Sequence, residues 1–172
     1  LAAGTLAAFA LAARRLGRGA VPCRLAASGA LAGVVAFSAV IFAASLESAW
    51  MFRVGTALIG FGGGLFAVGT LTEAMALDSR AHGLALGAWG AVQASAAGLG
   101  IALGGAIRDG VGTLASAGLL GPALSSPVTG YSFVYHIEIA LLFATLVAIG
   151  PLVRPASASA KPRSTQFGLA EF

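Results

Sequence analysis

Apolar residues fill long uncharged stretches of this chain, and the few charges stand between them. Residues 25–46 run uncharged from Arg24 to Glu47. Residues 54–72 run uncharged from Arg53 to Glu73, inside an apolar stretch of 52–75. Residues 83–107 run uncharged from His82 to Arg108, and 131–153 form another run that carries His136 and Glu138 near its start. A bilayer-crossing helix needs roughly 20 mostly apolar residues, at about 1.5 Å of rise each across about 30 Å of hydrocarbon. Each run meets that length. Residues 1–13 read as the truncated end of a further span, so the chain reads as the C-terminal portion of a longer protein. The runs show no alternation of the kind an outer-membrane barrel strand requires. In lipid, runs this long satisfy their backbone only as helices. The expected fold is all-α, a polytopic transmembrane helical bundle over residues 1–153.

The connections differ. Residues 14–24 hold four arginines with Gly17, Gly19 and Pro22, and 47–53 and 76–82 are tight links. Residues 108–130 are longer and rich in glycine and proline, which argues against a full span and leaves room for a short interfacial or re-entrant helix. Residues 154–172 are polar and are expected to form a disordered cytoplasmic tail.

Composition agrees with a lipid solvent: 58% of residues are hydrophobic and 9% charged, and mean hydropathy is +0.93. The net charge of +4 reports topology rather than nucleic acid, because the cations cluster between apolar runs. Alternating the loops puts Arg14, Arg15, Arg18, Arg24, Arg80, Arg154, Lys161 and Arg163 on one side and only Arg53 and Arg108 on the other. The positive-inside rule makes the first side cytoplasmic. The expected location is a bacterial inner membrane, with 108–130 facing the periplasm. The single cysteine, Cys23, excludes an internal disulfide and a multi-cysteine metal site.

Glycines recur four apart at Gly29/Gly33, Gly60/Gly64, Gly83/Gly87 and Gly100/Gly104. With 25 glycines in the chain, roughly three or four such pairs arise by chance, so no single pair identifies an interface. Small residues in bulk, from Gly55 to Gly69 and from Gly83 to Gly105, predict close helix packing or a lined path.

Polar residues inside spans need a reason. Glu73 is a gating or proton-coupling carboxylate, or more simply an edge group paired with Arg80 or a helix end. Glu138 is expected to pair with Arg108 or Arg53. It stands two residues from His136, so the two point in different directions on a helix. His136 is a packing residue, or an axial ligand to the magnesium of a chlorin. Trp89 and Gln93, four apart, share a face that either contacts a flat aromatic ligand or packs, with Gln93 bonding across helices. The phosphate-loop, dinucleotide, zinc-protease and nucleophile-elbow motifs are all absent. No catalytic residue and no metal site are expected, and the chain does not read as an enzyme.

Longer strings carry a family resemblance. Gly69-Thr-Leu-Thr-Glu-Ala-Met-Ala-Leu-Asp78 is one. Gly83-Leu-Ala-Leu-Gly-Ala-Trp-Gly-Ala-Val-Gln93, continuing to Gly105-Ala-Ile-Arg-Asp109, is another. Tyr131-Ser-Phe-Val-Tyr-His-Ile-Glu138, continuing to Ile149-Gly-Pro-Leu-Val-Arg154, is a third, and the chain ends on Phe167-Gly-Leu-Ala-Glu-Phe172. Together they resemble the PucC, or bacteriochlorophyll delivery, family of the major facilitator superfamily. The resemblance implies a twelve-helix protein in two halves, of which this chain is the partial C-terminal half. It implies assembly of light-harvesting antenna complexes, with bacteriochlorophyll, antenna α/β polypeptides, or both as ligands. The other partners implied are the bilayer and the missing N-terminal half. Two alternatives stand beside it: a secondary transporter of a small or amphipathic solute, and a structural subunit of the photosynthetic complex.

Overall fold

The computed structural model describes residues 1–77, 82–126 and 128–153, without the side chain of His82. The expectations for Asp78, Arg80, the His82 side chain and the tail from Arg154 onward lie outside the described residues. Five α-helices follow in order: α1 (Ala2–Leu16), α2 (Pro22–Ser45), α3 (Ala49–Met75), α4 (His82–Ser116) and α5 (Thr129–Val153). A single 3₁₀ turn, Pro122–Leu124, lies between α4 and α5. No strand occurs among the described residues. Four of the helices, α2 to α5, are long and apolar enough to cross a membrane. The protein is a multi-pass helical membrane bundle.

Helix ends follow local chemistry. Pro22 does not separate helices but sits in the first turn of α2, where its missing N–H is no loss. Ser48 caps α3, its Oγ accepting from the Met51 N–H at 3.3 Å. α1, α2 and α4 each close with a residue in the left-handed region, Gly19, Glu47 and Gly118. The N–H after each of these reaches back five residues, from Ala20 to Arg15, Ser48 to Ala43 and Leu119 to Leu114. α4 does not stop at Arg108. It continues through Gly110 and Gly112 to Ser116, so the first part of the expected 108–130 connection is helix.

Packing centres on α3. Leu25 of α2 and Leu65 of α3 meet Ala8 and Ala12 of α1 in the buried core. α2 and α3 touch backbone to backbone. A Cβ on Gly29 would stand 2.5 Å from the Gly62 carbonyl oxygen, and one on Gly62 would stand 2.7 Å from that of Gly29. On the other side of α3, Gly60 lies against the Leu1 carbonyl and Gly64 against Ala8. Gly33 receives Leu142 of α5, whose Cδ1 would be 3.0 Å from an added Cβ. In lipid there is little hydrophobic drive between helices, so this close fit supplies the association.

The four glycine pairs therefore divide. Gly29/Gly33 and Gly60/Gly64 sit in tight contacts. Of the pairs on α4, only Gly104 has a neighbour, the Val134 Cγ1 at 3.7 Å; Gly83, Gly87 and Gly100 face open space.

In the full-length protein, Gly62→Ala is expected to destabilise by about 1–3 kcal/mol, because the new methyl meets unyielding backbone. Gly98→Ala, whose Cβ meets nothing within 4 Å, is expected to be neutral or stabilising by up to about 1 kcal/mol. Thermal melts in detergent that rank the two variants the other way would contradict this packing.

Candidate functional site

Glu73 ends the α2–α3 contact. Gly69, one turn earlier, lets α3 lie on the first turn of α2: its Cβ would be 2.7 Å from the Ala26 nitrogen and 2.8 Å from the Pro22 oxygen. That approach brings the Glu73 Oε1 to the Cys23 backbone N–H at 3.2 Å and the Cys23 Sγ at 3.1 Å. α2 has no side-chain cap of its own. A carboxylate from the neighbouring helix takes that place, where the N–H groups and the helix dipole both favour negative charge. The helix end that Glu73 meets is thus the start of α2. Its other expected partner, Arg80, lies outside the described residues.

The rotation of α4 is set at two points. Near its start, the Trp89 Nε1 donates to the Thr70 Oγ1 of α3 at 3.1 Å. Towards its end, Gly104 meets Val134, and Gly130 of α5 lies directly on the Arg108 carbonyl. Trp89, Gln93, Ala97, Gly100, Gly104 and Arg108 recur every three or four residues and form one stripe. Its two ends touch α3 and α5. In its middle, Gly100 meets nothing within 4 Å, and half-buried Gln93 has no hydrogen bond among the described residues. The bond across helices is made by Trp89, not by Gln93.

On α5, Tyr131, Val134, Tyr135, Glu138 and Leu142 share the inward face. Tyr135 stacks at a tilt on Phe37 of α2, ring centroids 5.7 Å apart. The register set by Gly130 on Arg108 and Val134 on Gly104 places Glu138 at the level of Gly100. Glu138 is half-buried and has no hydrogen bond or ion pair among the described residues. The expected pairing of Glu138 with Arg108 or Arg53 is not found. Arg108 bonds Asp109, the adjacent residue, and its Nη1 donates to the Tyr131 hydroxyl at 3.2 Å. The Tyr131 bond joins α4 to α5 about two turns along α5 from Glu138. Arg53 is exposed near the start of α3, without a side-chain partner among the described residues.

His136 points away from all of this. It is exposed, about 200° around the helix from Glu138. Its outward face continues through Phe133, Ala140, Phe143 and Val147, all exposed. The His136 Nδ1 lies 2.6 Å from the Ser132 carbonyl oxygen. A carbonyl only accepts, so in the neutral ring Nδ1 carries the hydrogen and Nε2 keeps a free lone pair. The structure thus sets Trp89, Gln93 and Arg108 on one stripe of α4, Trp89 against α3 and Arg108 against α5, with Glu138 on the inward face of α5. It leaves His136, Glu73 and Arg53 elsewhere. No cluster of three metal-ligating side chains occurs among the described residues.

Residues 1–157 match the protein family described as PUCC protein. The chain belongs to the PucC family. It is 51% identical over 173 residues to the "Uncharacterized protein in puhA-bchM intergenic region" of Rhodobacter capsulatus, covering 98% of this chain and 36% of the relative. It is 45% identical over 159 residues to "Protein PucC" of Cereibacter sphaeroides, covering 92% of this chain and 34% of that protein. "Protein PucC" of Rhodobacter capsulatus is 44% identical over 156 residues, with 89% and 32% covered. The chain thus spans about a third of the length of these curated PucC-family relatives. No solved structure matches it.

Sequence reasoning missed four groups in this PucC-family chain: Cys23, Thr70, Asp109 and Tyr131. Cys23 lies 50 residues from Glu73, beyond the reach of any local pattern. The available signal was Gly69 one turn before Glu73, beside a proline-started helix lacking its own cap. Glu73→Ala is expected to weaken the start of α2 by about 1 kcal/mol. Amide exchange at Cys23 should then rise about fivefold. An unchanged rate would show that Glu73 does not cap this helix.

Proposed function

We propose that this chain is part of a light-harvesting antenna assembly factor that binds bacteriochlorophyll on its lipid-facing surface and serves antenna polypeptides in the membrane. The observation that carries the reading is His136. It is an exposed imidazole whose Nδ1 is held by the Ser132 carbonyl, leaving Nε2 outward. A chlorin magnesium held by four ring nitrogens keeps an axial position that a neutral imidazole nitrogen fills. The flanking Phe133, Ala140 and Phe143 offer an apolar bed for the macrocycle. Membership of the PucC family supports the antenna context. The thin polar inventory fits a hydrophobic ligand and a non-enzymatic role. In this reading the scaffold is the C-terminal part of a major facilitator fold in a bacterial inner membrane, with the arginine-rich α1–α2 loop and the C-terminus cytoplasmic.

The test is the absorption spectrum of the full-length protein purified from a phototroph. Bound bacteriochlorophyll is expected in the wild type and at least fivefold less in His136→Ala, the factor for losing about 1 kcal/mol of ligation. Equal pigment in both would remove His136 from the site. A wild type carrying neither pigment nor antenna polypeptide would sink the reading.

A second reading rests on Glu138, a half-buried carboxylate without a partner among the described residues, on the face turned to α4. Carboxylates at such depth serve as coupling groups in secondary transporters. If that is its role here, proteoliposomes of the full-length protein take up an amphipathic solute, and Glu138→Gln abolishes the uptake. Uptake unaffected by Glu138→Gln would dismiss it.

A further inference from the structure

α4 is longer than a membrane requires. Its 35 residues extend roughly 52 Å, against about 30 Å of hydrocarbon. The uncharged part ends at Arg108, and the helix then continues for about 12 Å to Ser116. By length and charge, that extension is expected to cross the headgroup layer with Arg108, Asp109, Thr113 and Ser116 on it. Tyr131 of α5 lies beside Arg108, where an amphipathic ring anchors at the interface. The Arg108 guanidinium sits 5.2 Å from its ring centroid.

Two clefts meet at this point. One, of about 580 Å³, is lined by Arg108, Asp109, Gly112, Thr113, Ser116 and Tyr131. The other, of about 350 Å³, shares Arg108 and Tyr131 and runs down the glycine wall of α4, past Gly104, Ile101 and Gly100, with Val134 and Tyr135 opposite. The two helices touch at Gly130, but Gly105 and Gly100 meet nothing within 4 Å. A polar cleft at headgroup depth thus opens into an apolar groove at acyl-chain depth.

The polar end carries both signs of charge. The Arg108 Nε and Nη2 both meet Oδ1 of Asp109, and Nη1 donates to Tyr131. Those contacts use three of the five guanidinium N–H groups and leave two. The second oxygen of Asp109 has no hydrogen bond among the described residues. The Thr113 and Ser116 hydroxyls each donate to a backbone carbonyl at 2.8 Å, which leaves their lone pairs to accept. A neutral pair of this kind gives no advantage to a net anion. It matches a head with both charges.

We propose that the α4–α5 junction binds a zwitterionic aminophospholipid. The phosphate accepts from the two remaining Arg108 N–H groups. The ammonium donates to Asp109 and the Thr113 and Ser116 oxygens. One acyl chain lies in the groove along Gly104 and Gly100. The site is independent of the His136 face, which lies on the far side of α5.

The test is native mass spectrometry of the full-length protein, equilibrated in detergent with equal phosphatidylethanolamine and phosphatidylglycerol. The wild type is expected to retain phosphatidylethanolamine preferentially. Arg108→Gln should lower retention of both lipids about tenfold or more, since two charge-assisted hydrogen bonds to the phosphate are lost. Asp109→Asn, at an exposed position, should remove the preference and spare phosphatidylglycerol. Gly104→Leu, which fills the groove, should lower both. Equal retention by the wild type and Arg108→Gln overturns the proposal, as does a wild-type preference for phosphatidylglycerol. If Arg108→Gln does not fold, the Asp109→Asn ratio decides: an unchanged preference for phosphatidylethanolamine overturns it.

Discussion

The bundle depends on the backbone contact between α2 and α3. Gly29 and Gly62 sit so close that a methyl group on either would enter the other's carbonyl. Between apolar helices in an apolar solvent, such dispersion contact is the main attraction available. Other placements follow from it. Gly69 continues the contact to the first turn of α2, and Glu73 reaches the open N–H of Cys23 only because of that approach. On the other face of α3, Gly60 and Gly64 receive α1, and Gly33 of α2 receives Leu142 of α5.

α4 obeys a different rule. Among the described residues it bonds α3 through Trp89 to Thr70, and it touches α5 near Gly104, Arg108 and Gly130. Its middle stands away from the rest. Two polar groups without a partner among the described residues lie on its inward side: Gln93 on α4 and Glu138 on α5. A stripe of small residues can serve as packing surface or as an open wall. The two roles occur side by side in this chain, on α3 and α4.

The outward and inward faces of α5 separate two chemistries that sit two residues apart in sequence. Helix geometry alone keeps His136 and Glu138 apart. Their neighbours then decide what each can do. The Ser132 carbonyl sets the His136 tautomer, whereas Glu138 takes no partner among the described residues, about two turns along α5 from the Tyr131 that meets Arg108.

The four long apolar helices were legible from charge spacing, because a bilayer tolerates few charges and demands a fixed helix length. The family was legible too, from strings such as those around Trp89 and His136. Glycine spacing was not enough to tell which pairs pack. Gly29/Gly33 and Gly100/Gly104 read alike in sequence, and only a second helix opposite makes one of them an interface. The continuation of α4 past Arg108 has a related reason: Gly110 and Gly112 weaken a helix in isolation, but contact with Gly130 supports this one. The sequence by itself thus determined a membrane-spanning helical chain of the PucC family. The tertiary structure decided the partners: Glu73 for the start of α2, Trp89 for Thr70, Arg108 for Asp109 and Tyr131. Those pairings, other than Arg108 with Asp109, join residues far apart along the chain, and only packing in three dimensions brings them within hydrogen-bond reach.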